Sequence, residues 1–108
     1  MSDVKEISVT DLKQKIDKNE DFTLIDVREE HEFHLCNIEG ATLMPLGGLH
    51  DELGSLNKSH EYVIQCRSGK RSASACELMQ DAGFTNVVNL AGGILAWADE
   101  IDSSMPSY

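Results

Sequence analysis

The chain has 108 residues and a formal net charge of −10, so it is long enough to bury one hydrophobic core but not two. We therefore predict a single domain over residues 1–108, with a loosely held polar tail from about residue 102. The acidity argues against nucleic acid or an anionic membrane as a partner. No apolar stretch approaches the roughly 20 residues of a membrane span. Residues 1–20 also lack the pattern of a secretory signal, so a cytoplasmic location is expected.

Short apolar runs alternate regularly with helical patterns along the chain. The predicted strands are, in chain order, 6–8, 22–27, 41–44, 62–65 and 86–90. The predicted helices are 10–17 with Thr10 as N-cap, 29–35, 49–53, 72–82 and 94–101. This alternation predicts an α/β fold, with a five-stranded, mostly parallel sheet and helices on both faces. In such folds the ligand site lies beyond the carboxyl ends of the strands.

The chain has three cysteines, Cys36, Cys66 and Cys76. Their odd number and the lack of a C-x-x-C pair argue against a disulfide framework and against a zinc site. The histidines show no metal-ligand spacing either. We therefore expect reduced thiols and predict neither a metal nor another cofactor. Cys76 shares a predicted helix with Met79 at the spacing of a core face, and Cys36 has no evident partner, so both are interpreted as bystanders.

One segment concentrates the chemistry of the chain. The strand at 62–65 ends at Cys66, and a short loop rich in cations and hydroxyls leads into the next helix. A thiol that faces a helix N-terminus beside cations is favoured as the thiolate, which is the nucleophilic form. Tight turns of backbone amides also bind anions. Cys66 is therefore the predicted nucleophile, and the predicted substrate-binding residues are Arg67, Ser68, Gly69, Lys70, Arg71 and Ser72.

Such a loop suits two reactions, attack on a phosphate ester or attack on the outer sulfur of a thiosulfonate-type anion. Cysteine-dependent phosphatases use the spacing Cys-x5-Arg, which would require an arginine at position 72, where this chain has Ser72. Arg71 instead gives Cys-x4-Arg, a loop that is one residue too short to surround a phosphoryl group. The spacing favours sulfur transfer and leaves a cysteine phosphatase as the less favoured alternative.

Four segments taken in order resemble the signatures of the single-domain rhodanese family of thiosulfate sulfurtransferases. They are LIDVRE at 24–29 with Glu32 and Phe33, IEGA at 38–41, the loop at 66–72, and NLAGGILAW at 89–97. The resemblance covers nearly the whole chain. One departure is the pair Cys36 and Asn37, where the family usually has Gly-His.

The resemblance implies a rhodanese-like fold and a ping-pong cycle through a persulfide on Cys66, with the loop amides solvating the sulfur. Asp26 and Arg28 lie in the first signature and are expected to form a structural pair that supports the loop. The basic loop and the C-terminal sequence are similar to rhodanese modules fused behind adenylyltransferases that activate sulfur-carrier proteins.

Two readings of the function follow from the loop and the resemblance. In the first, the protein is an enzyme that takes sulfane sulfur from a small anionic donor such as thiosulfate, or from a persulfide, and gives it to cyanide or a thiol. In the second, it is a sulfur-relay module whose donor or acceptor is a protein. An acidic surface around a basic loop would attract a basic protein partner.

Overall fold

A computed structural model describes residues 4–106 and 108. The strands of the described chain are β1 (Lys5–Ile7), β2 (Thr23–Asp26), β3 (Thr42–Leu43), β4 (Tyr62–Gln65) and β5 (Val87–Leu90). The helices are α1 (Val9–Asp17), α2 (Glu30–Leu35), α3 (Leu46–Glu52), α4 (Lys70–Asp81) and α5 (Gly93–Glu100). A short 3-10 helix (Leu53–Ser55) continues α3. None of the helices in these described ranges has the length and apolar character needed to span a bilayer.

The five strands form one sheet in the order β1-β5-β4-β2-β3, and every pair of neighbours is parallel. The predicted α/β fold with a five-stranded parallel sheet is thereby confirmed. Parallel neighbours require a crossover between strands, and the helices supply it. The strand β4 lies at the centre, so the residue after it emerges between the ends of two flanking strands.

Two apolar clusters cover the two faces of the sheet. On one face α3 and α4 pack against Ile25, Ile64 and neighbouring side chains. On the other face α1 and α5 pack against Leu24, Val63 and neighbouring side chains. Adjacent residues of a strand point to opposite faces, and adjacent apolar residues of β2 and of β4 belong to different clusters. Both strands are therefore apolar on both sides, as expected for buried parallel strands.

The start of α1 differs from the prediction. Thr10 lies inside the helix, and Ser8 is the N-cap, because its hydroxyl accepts a hydrogen bond from the backbone amide of Asp11 at 3.0 Å. The predicted N-cap at Thr10 is therefore wrong, and the helix begins two residues earlier than that cap allows. Residues 9 and 12 are consequently the buried positions of its inner face.

The tail lies on the face of the sheet that α1 and α5 cover. Asp102 accepts hydrogen bonds from the backbone and the hydroxyl of Ser104, which form a turn. Met105 and Tyr108 pack against the apolar cluster on this face. The predicted looseness of the tail stays a prediction, and the side chain of Tyr108 reaches the residues around the predicted loop.

Candidate active site

Cys66 follows the last residue of β4 at the carboxyl edge of the sheet, and the residue is 1% exposed. The chain then turns within three residues into α4, because Gly69 is the N-cap and adopts a left-handed backbone with φ of +108°. A residue with a side chain is strained in that conformation, whereas glycine adopts it readily. The turn thus brings the first amides of α4 back over the cysteine.

Three donors converge on the sulfur of Cys66. The backbone amide of Gly69 lies 3.1 Å from Sγ, the amide of Ser72 lies 3.4 Å away, and the hydroxyl of Ser72 lies 3.3 Å away. We call these three groups the sulfur cradle. Amides at a helix N-terminus carry partial positive charge, so the cradle is arranged to stabilise negative charge on sulfur.

The pKa of Cys66 reflects a competition between burial and these donors. Burial raises the pKa, but hydrogen bonds from the Ser72 hydroxyl and from the backbone amides of Ser72, Gly69 and Ser68 outweigh it. The net pKa lies below the ordinary value for a cysteine, which favours the thiolate. The sequence predicts a lowered pKa from the helix N-terminus and the nearby cations, and in the structure the hydrogen-bond donors at that N-terminus are the main causes that lower it.

The first turn of α5 fixes the other side of the loop backbone. The amides of Ile94 and Leu95 donate to the carbonyl oxygens of Cys66 and Arg67, at 2.9 and 3.1 Å. Gly93 makes this approach possible, because a Cβ on it would lie 2.5 Å from both carbonyl oxygens. With its carbonyl groups bound by α5, the loop can turn its amides toward the sulfur.

Asn89 is not among the predicted site residues, yet it holds two parts of the cradle. Its Oδ1 lies 2.5 Å from the Ser72 hydroxyl, and its Nδ2 donates to the carbonyl of Gly69 at 3.0 Å and to a carboxylate oxygen of Glu6 at 3.2 Å. The side chain is 1% exposed. A polar residue near the carboxyl end of an apolar strand is the sequence signal that could have identified it.

The three basic side chains of the predicted loop, those of Arg67, Lys70 and Arg71, do not all face the sulfur. Arg71 donates two hydrogen bonds to the carboxylate of Glu32, at 2.7 and 2.9 Å. The guanidinium of Arg67 lies over the ring of Tyr108, 5.0 Å from its centroid. Lys70 and Ser68 are exposed at the rim. Of the predicted binding residues, Gly69 and Ser72 contact Sγ directly, and Ser68 contributes through its amide.

Asp26 and Arg28 form a fully buried ion pair, with 2.7 Å between Nη2 and Oδ2. Arg28 also donates to the backbone carbonyls of Glu32 and Cys36, at 3.2 and 2.7 Å. Burial acts to lower the pKa of Arg28, but the bonds to Asp26 and Tyr108 raise it overall. The pair therefore holds α2 and the turn after it, including the position where the sequence departs from the usual Gly-His.

Glu32 and Tyr108 are the other two residues that sequence analysis does not assign to the site. Besides Arg71, the Glu32 carboxylate accepts a hydrogen bond from the Tyr108 hydroxyl at 2.9 Å and from the backbone amide of Glu29 at 3.0 Å. The bonds from Arg71 are the main cause that lowers the Glu32 pKa to about 2, against the opposing effect of burial. The carboxylate is therefore ionised at any physiological pH. Its place in the first signature is the sequence signal.

The remaining thiols differ from Cys66. Burial raises the pKa of Cys76 to about 12, with a smaller contribution from the charge of Cys66, so this thiol is protonated at neutral pH. Cys36 is buried and forms no disulfide within the described residues, and its carbonyl accepts a hydrogen bond from Arg28. Across residues 4–106 and 108, no group of three or more histidine, cysteine or acidic side chains is placed to hold a metal ion.

Comparison with known proteins agrees with this geometry. A family model described as "Rhodanese-like domain" matches residues 8–100. The "Putative sulfurtransferase YtwF" of Bacillus subtilis is 41% identical over 98 residues, which cover 91% of this chain and 94% of that protein. The "Probable adenylyltransferase/sulfurtransferase MoeZ" of Mycobacterium tuberculosis is 35% identical, and the match covers 94% of this chain but 26% of MoeZ.

The fold has close counterparts among solved structures. The crystal structure of a rhodanese-like domain protein from Staphylococcus aureus superposes with a TM-score of 0.83 at 36% identity, covering 91% of this chain and 95% of that one. The region matched by the family model includes β4, the loop after it and α5. On the family match, the sequence identity and the shared fold, this chain belongs to the rhodanese-like domain family.

Proposed function

We propose that the protein is a sulfurtransferase that carries sulfane sulfur as a persulfide on Cys66. The donor is thiosulfate or a protein persulfide, and the acceptor is a thiophile such as cyanide or a thiol. The observation that carries this proposal is the sulfur cradle, in which the amides of Gly69 and Ser72 and the Ser72 hydroxyl converge on one sulfur atom.

The first half-reaction with thiosulfate follows from a thiolate in this position. The Cys66 thiolate attacks the outer sulfur of thiosulfate, the new S–S bond forms, and the old S–S bond breaks with its electron pair leaving on sulfite. The product is an anionic persulfide on Cys66, which needs the same donors as the thiolate. An acceptor thiolate or cyanide then removes the outer sulfur and regenerates Cys66.

The roles of the other residues follow from their positions. Gly69, Ser72 and Ser68 solvate the sulfur through amide and hydroxyl groups, and Arg67, Lys70 and Arg71 give the rim its positive charge. Asp26 and Arg28 support the site through α2, because they do not contact the sulfur. A phosphatase is disfavoured further by the structure, since Arg71 is bound to Glu32.

A second version of the same chemistry, a sulfur-relay module for a protein partner, is favoured by the similarity to MoeZ, whose name joins adenylyltransferase with sulfurtransferase. The net charge of −10 would steer a basic protein surface toward the molecule. The cytoplasm is the proposed location, because its reducing conditions keep the thiols free.

Mass spectrometry of the intact protein, before and after treatment with thiosulfate, tests the proposal. We expect the wild type and Cys36→Ser to gain the mass of one sulfur atom, removable by a reducing thiol, and Cys66→Ser to gain none. Cys36→Ser is the matched control because it also replaces a buried cysteine. A wild type that takes sulfur neither from thiosulfate nor from a persulfide donor would contradict the proposal, as would an unimpaired Cys66→Ser.

A further inference from the structure

The charge at the rim of the cradle is partly cancelled from within the protein. Arg71 follows Lys70 in the first turn of α4, and its guanidinium lies flat against the Glu32 carboxylate in a two-bond pair. Its side chain is 36% exposed and that of Glu32 is 10% exposed, so the pair is open to solvent on the arginine side. The pair is therefore part of the surface that an approaching donor meets.

Glu32 is fixed in this position by several independent contacts. Its carboxylate also accepts from the hydroxyl of Tyr108 and from the amide of Glu29, and its backbone carbonyl accepts from Arg28. As residue N3 of α2 it completes a capping box with Glu29. A carboxylate held by this many donors does not swing away to release Arg71 when a weakly bound anion arrives.

Arg71 lies near the reacting sulfur, because it directly precedes Ser72 in α4 and the amide of Ser72 lies 3.4 Å from Sγ. Its pKa is raised first by the bonds to Glu32 and also by the negative charge of Cys66. An anion that binds at Cys66 would therefore interact with Arg71 as well. The carboxylate of Glu32 opposes that attraction, because the arginine and the glutamate together carry no net charge.

Resting on the function proposed above, we propose that Glu32 is a specificity-determining residue, which selects thiol persulfides as sulfur donors over the thiosulfate dianion by neutralising Arg71 at the rim of the site. Thiosulfate carries two negative charges into the site and releases the sulfite dianion. A thiol persulfide, RSSH, carries fewer charges at the reacting atoms and gains less from an unpaired arginine.

The corresponding transfer step is balanced without any further reactant. The Cys66 thiolate attacks the terminal sulfur of RS–SH, the Cys66–sulfur bond forms, and the bond between the two donor sulfurs breaks. Its electron pair leaves on the donor as the thiolate RS⁻, and the proton stays with the transferred sulfur until the persulfide ionises. The cradle stabilises the anionic product in the same way for either donor.

Steady-state sulfur transfer to cyanide, with thiosulfate or cysteine persulfide as the donor, tests the proposal on the full chain. Glu32→Gln should lower KM for thiosulfate by roughly five- to tenfold, because an unpaired charge at the rim contributes about 1 kcal/mol or more. KM for cysteine persulfide should change less than about twofold on the same electrostatic grounds. The gain with thiosulfate should shrink as sodium chloride is added.

Glu30→Gln is the matched control, because it removes one carboxylate from the same helix at an exposed position that pairs with His34. It should leave both KM values unchanged. Arg71→Gln is the second variant, in case Glu32→Gln does not fold. It leaves the carboxylate unpaired and should raise KM for thiosulfate selectively. Changes of equal size for both donors in these two variants would show that the pair is merely structural and would overturn the proposal.

The experiment distinguishes a failure of the specificity proposal from a failure of the proposed function. Transfer of one sulfur from cysteine persulfide to Cys66 in the wild type supports the function whatever Glu32 does. If the wild type accepts sulfur but Glu32→Gln leaves the ratio of the two donors unchanged, then the specificity proposal fails and the function stands.

Discussion

Ser72 has one hydroxyl proton and two acceptors within reach. Its Oγ lies 3.3 Å from the sulfur of Cys66 and 2.5 Å from Oδ1 of Asn89. The shorter contact suits donation to Asn89 when Cys66 carries its proton. A charged sulfur accepts a hydrogen bond more strongly than a neutral amide, so ionisation of Cys66 draws the proton of Ser72 toward sulfur.

We therefore expect Ser72→Ala to raise the pKa of Cys66 by removing a donor to the thiolate. A hydrogen bond to a charged group contributes about 1.5–3 kcal/mol, and the two amides that remain compensate for part of that loss. The rate of alkylation by iodoacetamide at neutral pH should therefore fall by roughly three- to tenfold. The pH dependence of alkylation gives the pKa directly.

Ser74→Ala is the control for this measurement, since Ser74 lies exposed on the same helix and its replacement removes an equivalent hydroxyl. This variant should alkylate like the wild type. If Ser72→Ala alkylates as fast as the wild type across the pH range, the Ser72 hydroxyl does not contribute to the low pKa of the thiol, and the backbone amides of the loop account for it.

Sequence reasoning at this scale identifies the residues of the loop better than their orientations. Cys66 and Ser72 can be singled out because their contacts are local, within six positions of each other. The pairing of Arg71 with Glu32 spans 39 positions, and neither residue's neighbours in sequence indicate it. The predicted catalytic role of Cys66 and the predicted substrate-binding roles of residues 67–72 remain predictions.

Among the elements, α5 makes a close backbone approach to the loop. Its first two backbone donors bind the carbonyls of Cys66 and Arg67, and Gly93 lies against both carbonyl oxygens. The helix begins more than twenty positions after the loop, yet it constrains the backbone of the loop. Gly93, the first residue of α5, is therefore a steric requirement of the candidate site as well as a helix start.

Replacing this glycine tests the constraint. Gly93→Ala places a methyl group 2.5 Å from two carbonyl oxygens at a residue with φ of +60°. We expect a loss of at least about 2 kcal/mol in the free energy of unfolding, because the backbone must shift to relieve both the overlap and the strain. The reactivity of Cys66 should fall as well, since the loop amides move with the carbonyls.

Gly47→Ala provides the comparison, because Gly47 lies in α3 and a Cβ added there would meet no atom of the described chain within 4 Å beyond its own stretch of helix. In a helix alanine is favoured over glycine, so this variant should be as stable as the wild type or more so. Urea unfolding of both variants measures the difference. Equal stabilities of Gly93→Ala and the wild type would mean that α5 can retreat from the loop freely.

Element types can be predicted from the sequence, whereas several element ends cannot. The alternation of apolar runs and helical patterns predicts both ends of all five strands to within one residue, because buried parallel strands are apolar on both sides. The helix α4 begins at Lys70 rather than at the predicted Ser72, because Gly69 adopts a left-handed backbone and serves as the N-cap. The helix α3 begins at Leu46, directly after Pro45, and proline is well tolerated at the start of a helix.

For the molecule as a whole, Glu32 joins three separate parts of the chain. It lies in α2, binds Arg71 at the start of α4, and accepts from Tyr108 in the tail. Its pKa of about 2 in the folded protein lies below the ordinary value of 4.5. A carboxyl group with a lowered pKa stabilises the fold fully above its unfolded value, and this contribution is lost as the pH falls through the folded value.

The free energy of unfolding should therefore decrease between pH 4.5 and about 2, and this decrease should be smaller in Glu32→Gln than in the wild type. Denaturant unfolding at a series of pH values measures the slope. Glu30→Gln should keep the slope of the wild type, because its exposed carboxylate pairs weakly with His34. Parallel slopes for the wild type and Glu32→Gln would contradict the assignment of the network.

The overall architecture is accessible from sequence because it depends on periodicity and on four short motifs. The contact between Tyr108 and Glu32 is not, because it links residues 76 positions apart through a polar tail whose composition indicates no packing. Whether residues 1–108 form one independent domain remains a prediction.

In many active sites the same side chains both recognise a ligand and stabilise the reacting atom. Here most of the groups that solvate the sulfur belong to the backbone, so the two tasks are separate. Two of the three donors of the cradle are peptide amides, and none of the three belongs to the side chains of Ser68 and Lys70, which lie exposed on the same loop. Substitutions at these two exposed positions can change which molecules dock without altering the groups that solvate the sulfur. The side chains at positions 68 and 70 can therefore differ between related proteins while the donors to the sulfur stay the same.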